Sequence, residues 1–156
     1  MNATYEPTTF LIDEERQKAL AGGGGVTMSA KDAAVWLQSL LLNGRNPKTG
    51  EAVIPAQAII RSKSGVVAAI PNPRSPELSV TVYGGAQAQF AYQGHNIIEH
   101  NGGWRGWWSM ISRAPDDGLG IAVLTNWDDG AFVSEIVKWH LYEKAWGIPH
   151  IDWSSR

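Results

Sequence analysis

The chain contains no cysteine, and this absence excludes disulfides, thiol nucleophiles and thiolate-bound metals together. It also has no excess of positive charge, because 13 Lys and Arg face 15 Asp and Glu, giving a net charge of -2. Without a basic field we predict neither nucleic acid nor a membrane as a partner. No apolar run approaches the roughly 18 residues of a membrane span, and the N-terminus does not read as a signal peptide. The cellular compartment stays open.

The residues that are present describe an ordinary globular chain with one unusual feature. Of the 156 residues, 44% are hydrophobic and 18% are charged, which predicts a single domain with a real core. Eight tryptophans outnumber the four tyrosines and three phenylalanines, an inversion of the usual order that needs an explanation. Indole rings serve either as large core side chains or as stacking platforms for ligands.

Helical patterns occur in the first half of the chain and at its end. Ser29 and Asp32 form an acidic variant of the capping box before an apolar stretch at 33–42, which Asn43-Gly44 ends. A shorter helix is predicted at 54–60, and a longer one at 132–146 is closed by Gly147. An apolar face of this last helix is expected to pack on a sheet; it comprises Phe132, Val133, Ile136, Val137, Leu141 and Ala145.

Short β-branched or apolar runs separated by turn residues fill the second half of the chain. They predict five strands, at 79–83, 87–92, 96–100, 107–112 and 120–125, and residues 66–70 are a further strand candidate. Because the connections are short, we expect an antiparallel meander. The predicted fold class is α+β: an antiparallel sheet of about five strands with a C-terminal helix packed on it.

Two short motifs invite a chemical interpretation. Lys48-Thr49-Gly50 matches the K-T-G element of serine β-lactamases, but it lies in a polar turn, and we interpret it as a chance match. The string His100-Asn101-Gly102-Gly103 follows a predicted strand. Its simplest interpretation is a hairpin turn, because Asn-Gly is a strong turn signal.

The surroundings of the second motif suggest more. Residues 99–107, 109–115 and 119–126 together resemble the C-terminal part of the β-lactamase-related serine hydrolases, the class C-like group that includes esterases, transesterases and D-aminopeptidases. In that family an H-x-G often replaces K-T-G, and here Gly106-Trp107 follows at the expected distance. Residues 24–44 and 151–153 are similar to further family segments, of fungal type at the end of the chain.

The resemblance implies a partial β-lactamase/DD-peptidase-like fold and acyl transfer on small ester or amide substrates, without a cofactor. No serine here has a lysine three residues later, and no tyrosine has an asparagine two residues later, so S-x-x-K and Y-x-N are both absent. We therefore predict no catalytic residue. By the resemblance, His100, Asn101, Gly102 and Gly103 would face the substrate, and the Gly103 amide would supply half of an oxyanion hole.

These missing motifs suggest that the chain is the C-terminal portion of a longer ancestral protein. Residues 1–22 are predicted to be an irregular N-terminal segment and 23–153 the family-like region of one partial domain. Met1 to Tyr5 resembles an internal segment of the family, so Met1 could be an ancestral internal methionine. Lost N-terminal strands would leave an open sheet edge, and we expect self-association or a partner strand there.

Alternative interpretations remain open. Trp104, Trp107 and Trp108 could form a sugar-stacking patch of a non-catalytic binding module, because alternation along a strand leaves Trp107 or Trp108 outside the core. The alternative is that most tryptophans belong to the core of a larger protein. Among the other histidines, we predict a packed His140 and surface positions for His95 and His150, and no ligand spacing predicts a metal site.

Overall fold

A computed structural model describes residues 14–155 and has an α+β architecture in which a six-stranded antiparallel sheet carries helices on both faces. Within these residues the four α-helices are α1 Glu14–Leu20, α2 Ala30–Leu41, α3 Ala56–Ser62 and α4 Gly130–Trp146. The strands are β1 Val67–Ile70, β2 Thr81–Gly84, β3 Gln87–Tyr92, β4 His95–Trp104, β5 Trp107–Ala114 and β6 Leu119–Thr125. The predictions made for Met1 to Tyr5 lie outside the described residues.

The sheet is a simple meander in which each strand pairs with the next along the chain, in the order β1-β2-β3-β4-β5-β6. The five predicted strands are confirmed, and the further candidate at 66–70 supplies β1. The hairpin interpretation of Asn101-Gly102 is wrong. β4 continues through both residues to Trp104, and the chain turns at Arg105-Gly106, where Gly106 has a φ of 77°. That positive φ suits glycine, whereas Asn101 stays in a paired strand.

The two faces of the sheet are covered by different helices. On β5, Ser112 points to α4, since its hydroxyl lies 3.1 Å from that of Tyr142. On β6, a Cβ built on Gly120 would meet Leu37 of α2 at 3.3 Å. Because paired residues share a face, the register of the sheet defines an α4 face and an α2 face. The α4 face holds the main core, which surrounds Tyr92, Ile97 and Trp139.

The ends of the helices follow from local chemistry. Ser29 and Asp32 form the predicted capping box, in which the Ser29 hydroxyl accepts from the Asp32 amide and the Asp32 carboxylate accepts from the Ser29 amide. Gly147 ends α4 in the left-handed conformation, as predicted. These caps fix where α2 and α4 begin and end over the sheet.

The expected orientation of α4 is wrong in one respect. The helix packs on the sheet, but its apolar side chains Phe132, Val133, Val137 and Leu141 are exposed. The buried side carries Trp139 and Tyr142 together with Lys138 and Glu143. Burial of large aromatic rings contributes more to stability than burial of valines. The two charged side chains also find partners on the sheet, since Lys138 donates to Glu99 and Glu143 accepts from Tyr92. His140 lies on the exposed side and is not packed as predicted.

Candidate functional site

His100 lies exposed on β4 and has two defined partners. Its Nδ1 is 2.6 Å from the backbone oxygen of Asn101, and its Nε2 is 3.0 Å from the hydroxyl of Tyr83. A carbonyl oxygen only accepts, so Nδ1 carries the hydrogen and, in the neutral ring, Nε2 accepts from the Tyr83 hydroxyl. This arrangement orients a basic nitrogen toward a phenol at the surface.

The strand that carries His100 is open on one side beyond this residue. The last pair between β3 and β4 joins Ala88 to Glu99, and β3 begins at Gln87. From Asn101 to Trp104, β4 pairs only with β5. Alternate residues of this stretch therefore present backbone N–H and C=O groups to the open side, where they can bind a ligand.

Both glycines of the motif have close side-chain neighbours across the ladder. A Cβ on Gly103 would lie 2.9 Å from the Trp108 ring, and a Cβ on Gly102 would lie 2.7 Å from the Ser109 hydroxyl. The Trp108 ring thus covers Gly103 on the α4 face, while Gly102 leaves a low floor beside His100 on the α2 face. The Gly-Gly pair keeps this part of the strand free of side chains.

Two tryptophans border this floor at the end of the hairpin. Trp104 pairs directly with Trp107 across the β4–β5 ladder, and the two side chains remain 37% and 45% exposed. Trp108 is half-buried on the opposite face, where its Cβ comes close to Gly130 of α4. The prediction that alternation leaves one of the pair Trp107 and Trp108 outside the core is confirmed. We call the surface formed by His100, Gly102, Trp104 and Trp107 the β4 floor.

The other sequence candidates lie away from the β4 floor. Lys48-Thr49-Gly50 occupies a turn in which the Asn46 side chain accepts from the amides of Lys48 and Thr49, as the chance-match interpretation predicts. His95 is half-buried, stacks on Trp146 and bonds to Asp117. His150 is exposed and bonds to Glu143, so it holds a C-terminal contact rather than a ligand.

The α4 face contains a different kind of polar group. The Lys138 ammonium, with no exposed side-chain surface, lies 3.0 and 3.1 Å from the two Glu99 oxygens and 2.8 Å from Glu135. Burial raises the pKa of Glu99, and the attraction of Lys138 opposes this shift. Burial also raises the pKa of Tyr142, which lies near this group.

Glu143 is the second polar group beneath the sheet. Its carboxylate accepts from the Tyr92 hydroxyl at 2.6 Å, from Trp153 Nε1 at 3.2 Å and from the Ile151 amide at 3.3 Å, and it pairs with His150. Burial alone would raise the pKa of Glu143, but the hydrogen bonds lower it below the ordinary value. Every bond joins α4 to the core or the C-terminal segment, so the group is structural.

The sequence did not point to Tyr83 or to the Lys138–Glu99 pair. Tyr83 ends a predicted strand and carries no motif, and its partner is 17 residues away. Lys138 and Glu99 are 39 residues apart. The register places Glu99 on the face that α4 covers, where Lys138 reaches it, and no spacing in the sequence signals either contact.

Residues 14–155 contain no cluster of three or more histidines or carboxylates arranged to hold a metal. In the same part of the chain, every helix is too short or too polar to cross a bilayer. A scan against protein-family models and searches of curated proteins and of solved structures found no match to this chain. The resemblance to serine hydrolases thus stays a prediction from the motifs.

Proposed function

We propose that this chain supplies the substrate-facing strand of a β-lactamase-related acyl-transfer fold and binds small esters or amides without turning them over. The observation that carries the proposal is the β4 floor: an exposed His100, held by Tyr83, stands beside a glycine pair on a strand with an open edge. The chain contains neither S-x-x-K nor Y-x-N. The backbone N–H groups of an open strand edge can donate to a carbonyl oxygen, but without a nucleophile no acyl-enzyme forms.

Two apolar surfaces favour a role within a larger assembly. β6 is the last strand of the sheet, its outer edge is unpaired within the described residues, and its sequence, Leu119–Thr125, contains no charge. The exposed aliphatic side of α4 adds a second such surface. Because uncharged sheet edges recruit further strands, the proposal includes self-association or a partner chain, and an oligomer in size-exclusion chromatography is expected.

The test combines turnover with binding. Purified protein is expected to hydrolyse nitrocefin and p-nitrophenyl acetate no faster than buffer. In NMR titrations, a small amide such as N-acetylglycine amide should shift the His100 ring signals saturably, and Tyr83→Phe should weaken this binding several-fold. His95→Ala is the matched control, because that histidine lies away from the β4 floor.

Two outcomes would contradict the proposal. Turnover that a serine-directed fluorophosphonate blocks would show that a nucleophile is present after all. Titrations without any shift at His100, in protein whose spectrum is folded, would remove the β4 floor from consideration as a carbonyl site.

The exposed tryptophans support a second candidate function, a non-catalytic module that binds sugars. Trp104 and Trp107 lie side by side on one face, an arrangement on which a pyranose ring can stack. Quenching of tryptophan fluorescence by soluble polysaccharides, lost in Trp107→Ala, would favour this candidate. Polysaccharides that leave the emission unchanged would favour the assembly role of these side chains.

A further inference from the structure

Arg113 is a buried residue whose guanidinium forms no ion pair among residues 14–155. It lies on β5, where its side chain is on the α2 face between Ile98 of β4 and Gly120 of β6, and the residue is 2% exposed. Its Nε and Nη2 atoms are both buried, and neither forms a hydrogen bond within the described residues. Buried arginines are normally paired, so these two donors need an explanation.

The group stays charged at neutral pH. Burial lowers the pKa of Arg113 to about 10, and the only group that opposes the shift is the phenol of Tyr142. At pH 7 the guanidinium therefore carries its full charge, while no carboxylate of residues 14–155 forms an ion pair with it. An unpaired buried charge is strongly unfavourable, so the binding of an anion recovers a large part of that free-energy cost.

The geometry of the two free donors selects the kind of anion. Nε and Nη2 form one edge of the guanidinium plane, and their two N–H bonds run parallel. This fork matches the two oxygens of a carboxylate, which accepts both bonds at once. A spherical anion such as chloride can accept only at one point of the fork.

A third free donor lies in the same row of the sheet. Gln89 of β3 pairs with Ile98, which pairs with Arg113, so the three side chains share the α2 face. The Gln89 Nε2 atom is also buried, and it has no hydrogen-bond partner in the described part of the chain. The two backbones are two strand spacings apart, roughly 10 Å, and the Ile98 side chain lies between them, so an anion that binds both side chains must bridge over Ile98.

We propose that Arg113 and Gln89 form a binding site for the carboxylate of a small organic anion on the α2 face of the sheet. The site is distinct from the β4 floor, because Arg113 pairs with Ile98 and His100 lies two residues further along β4. It is independent of the proposed acyl-transfer role, and either can fail without the other.

Thermal unfolding in formate and in chloride at equal ionic strength tests the site. Wild-type protein should melt on the order of 2–4 °C higher in formate, because a ligand that binds only the folded state raises its stability. Arg113→Met should melt higher than wild type in chloride, since it removes the unpaired charge, and should lose the formate effect. Arg113→Lys keeps the charge but not the fork, and should lose most of the effect. Arg74→Met, at an exposed arginine, is the matched control and should keep it.

A measurement on the wild-type chain covers the case in which the variants do not fold. In ¹⁵N-labelled protein, the Arg113 Nε–H signal should shift saturably with formate and should exchange slowly with water. The proposal is overturned if formate stabilises Arg113→Met as much as wild type, or if the chemical shift of the Arg113 Nε–H signal does not change with formate. Either result would mean that Arg113 does not bind a carboxylate.

Discussion

The two faces of the sheet differ in how they treat buried polar groups. On the α4 face, each buried charge has a partner: Lys138 pairs with Glu99, and Glu143 accepts from the core and the C-terminal segment. On the α2 face, the Nε and Nη2 atoms of Arg113 and the Nε2 atom of Gln89 have no hydrogen-bond partner among residues 14–155. Buried atoms without a partner occur on the α4 face as well, among them Ser134 Oγ and Trp108 Nε1, but these groups are uncharged. The two faces therefore differ in their buried charges, which are paired beneath α4 and unpaired at Arg113.

The largest expected effect comes from breaking the buried ion pair of the α4 face. Lys138→Met leaves the Glu99 carboxylate buried without its counter-charge, and we expect a loss of about 3–5 kcal/mol in the free energy of unfolding. Urea denaturation measures it. Lys144→Met, on the exposed side of the same helix, should change stability by less than about 0.5 kcal/mol. A loss in Lys138→Met no larger than in this control would show that the pair is not structural.

A smaller but pH-dependent effect is expected at Glu143. Glu143→Gln should cost about 2–3 kcal/mol at pH 7, because an amide cannot accept all the bonds that the carboxylate accepts. Since the folded pKa of Glu143 is lowered, its contribution is complete above the unfolded value of 4.5 and is lost as the pH falls through the folded one.

Urea titrations of wild type and Glu143→Gln between pH 7 and pH 3 measure that contribution. The two stability curves should converge as the pH falls below 4.5. Glu51→Gln, at an exposed carboxylate in a turn, should follow the wild type throughout. Curves that stay parallel down to pH 3 would contradict the assignment of Glu143 as the group that joins α4 to the C-terminal segment.

The smallest effect sharpens the contrast between faces with two adjacent tryptophans. Trp108→Ala removes a half-buried ring from the α4 face and should cost about 2–3 kcal/mol, whereas Trp107→Ala should cost less than about 1 kcal/mol because its ring is exposed. Denaturation midpoints of the two variants measure this. Equal losses would mean that both rings are equally buried, as in a larger assembly that covers the β4 floor.

Much of the fold could be predicted from the sequence because its signals are local. The capping residues of α2, Gly147 at the end of α4, and the β-branched strands are recognisable within a few positions. The site could be predicted only in part. The motif predicts His100, but its contact with Tyr83 and the position of Arg113 away from every carboxylate of residues 14–155 depend on the tertiary structure.

The misjudged face of α4 has the same physical cause. Counting aliphatic residues favoured Val133, Val137 and Leu141, but a helix buries the side whose rings and charges find partners. Those partners, Tyr92 and Glu99, lie on strands far away in the chain. A pattern within one helix carries no information about them.

The exposure of the tryptophans has a practical consequence for spectroscopy. Trp36, Trp104, Trp107 and Trp127 are already 37–52% exposed in the folded chain. The emission of these four rings should therefore change less on unfolding than that of the buried Trp139. Tyr142 stacks on Trp146 and makes a tilted contact with Trp139. Because these contacts are fixed and asymmetric, near-ultraviolet circular dichroism is the signal that should vanish when the tertiary structure melts.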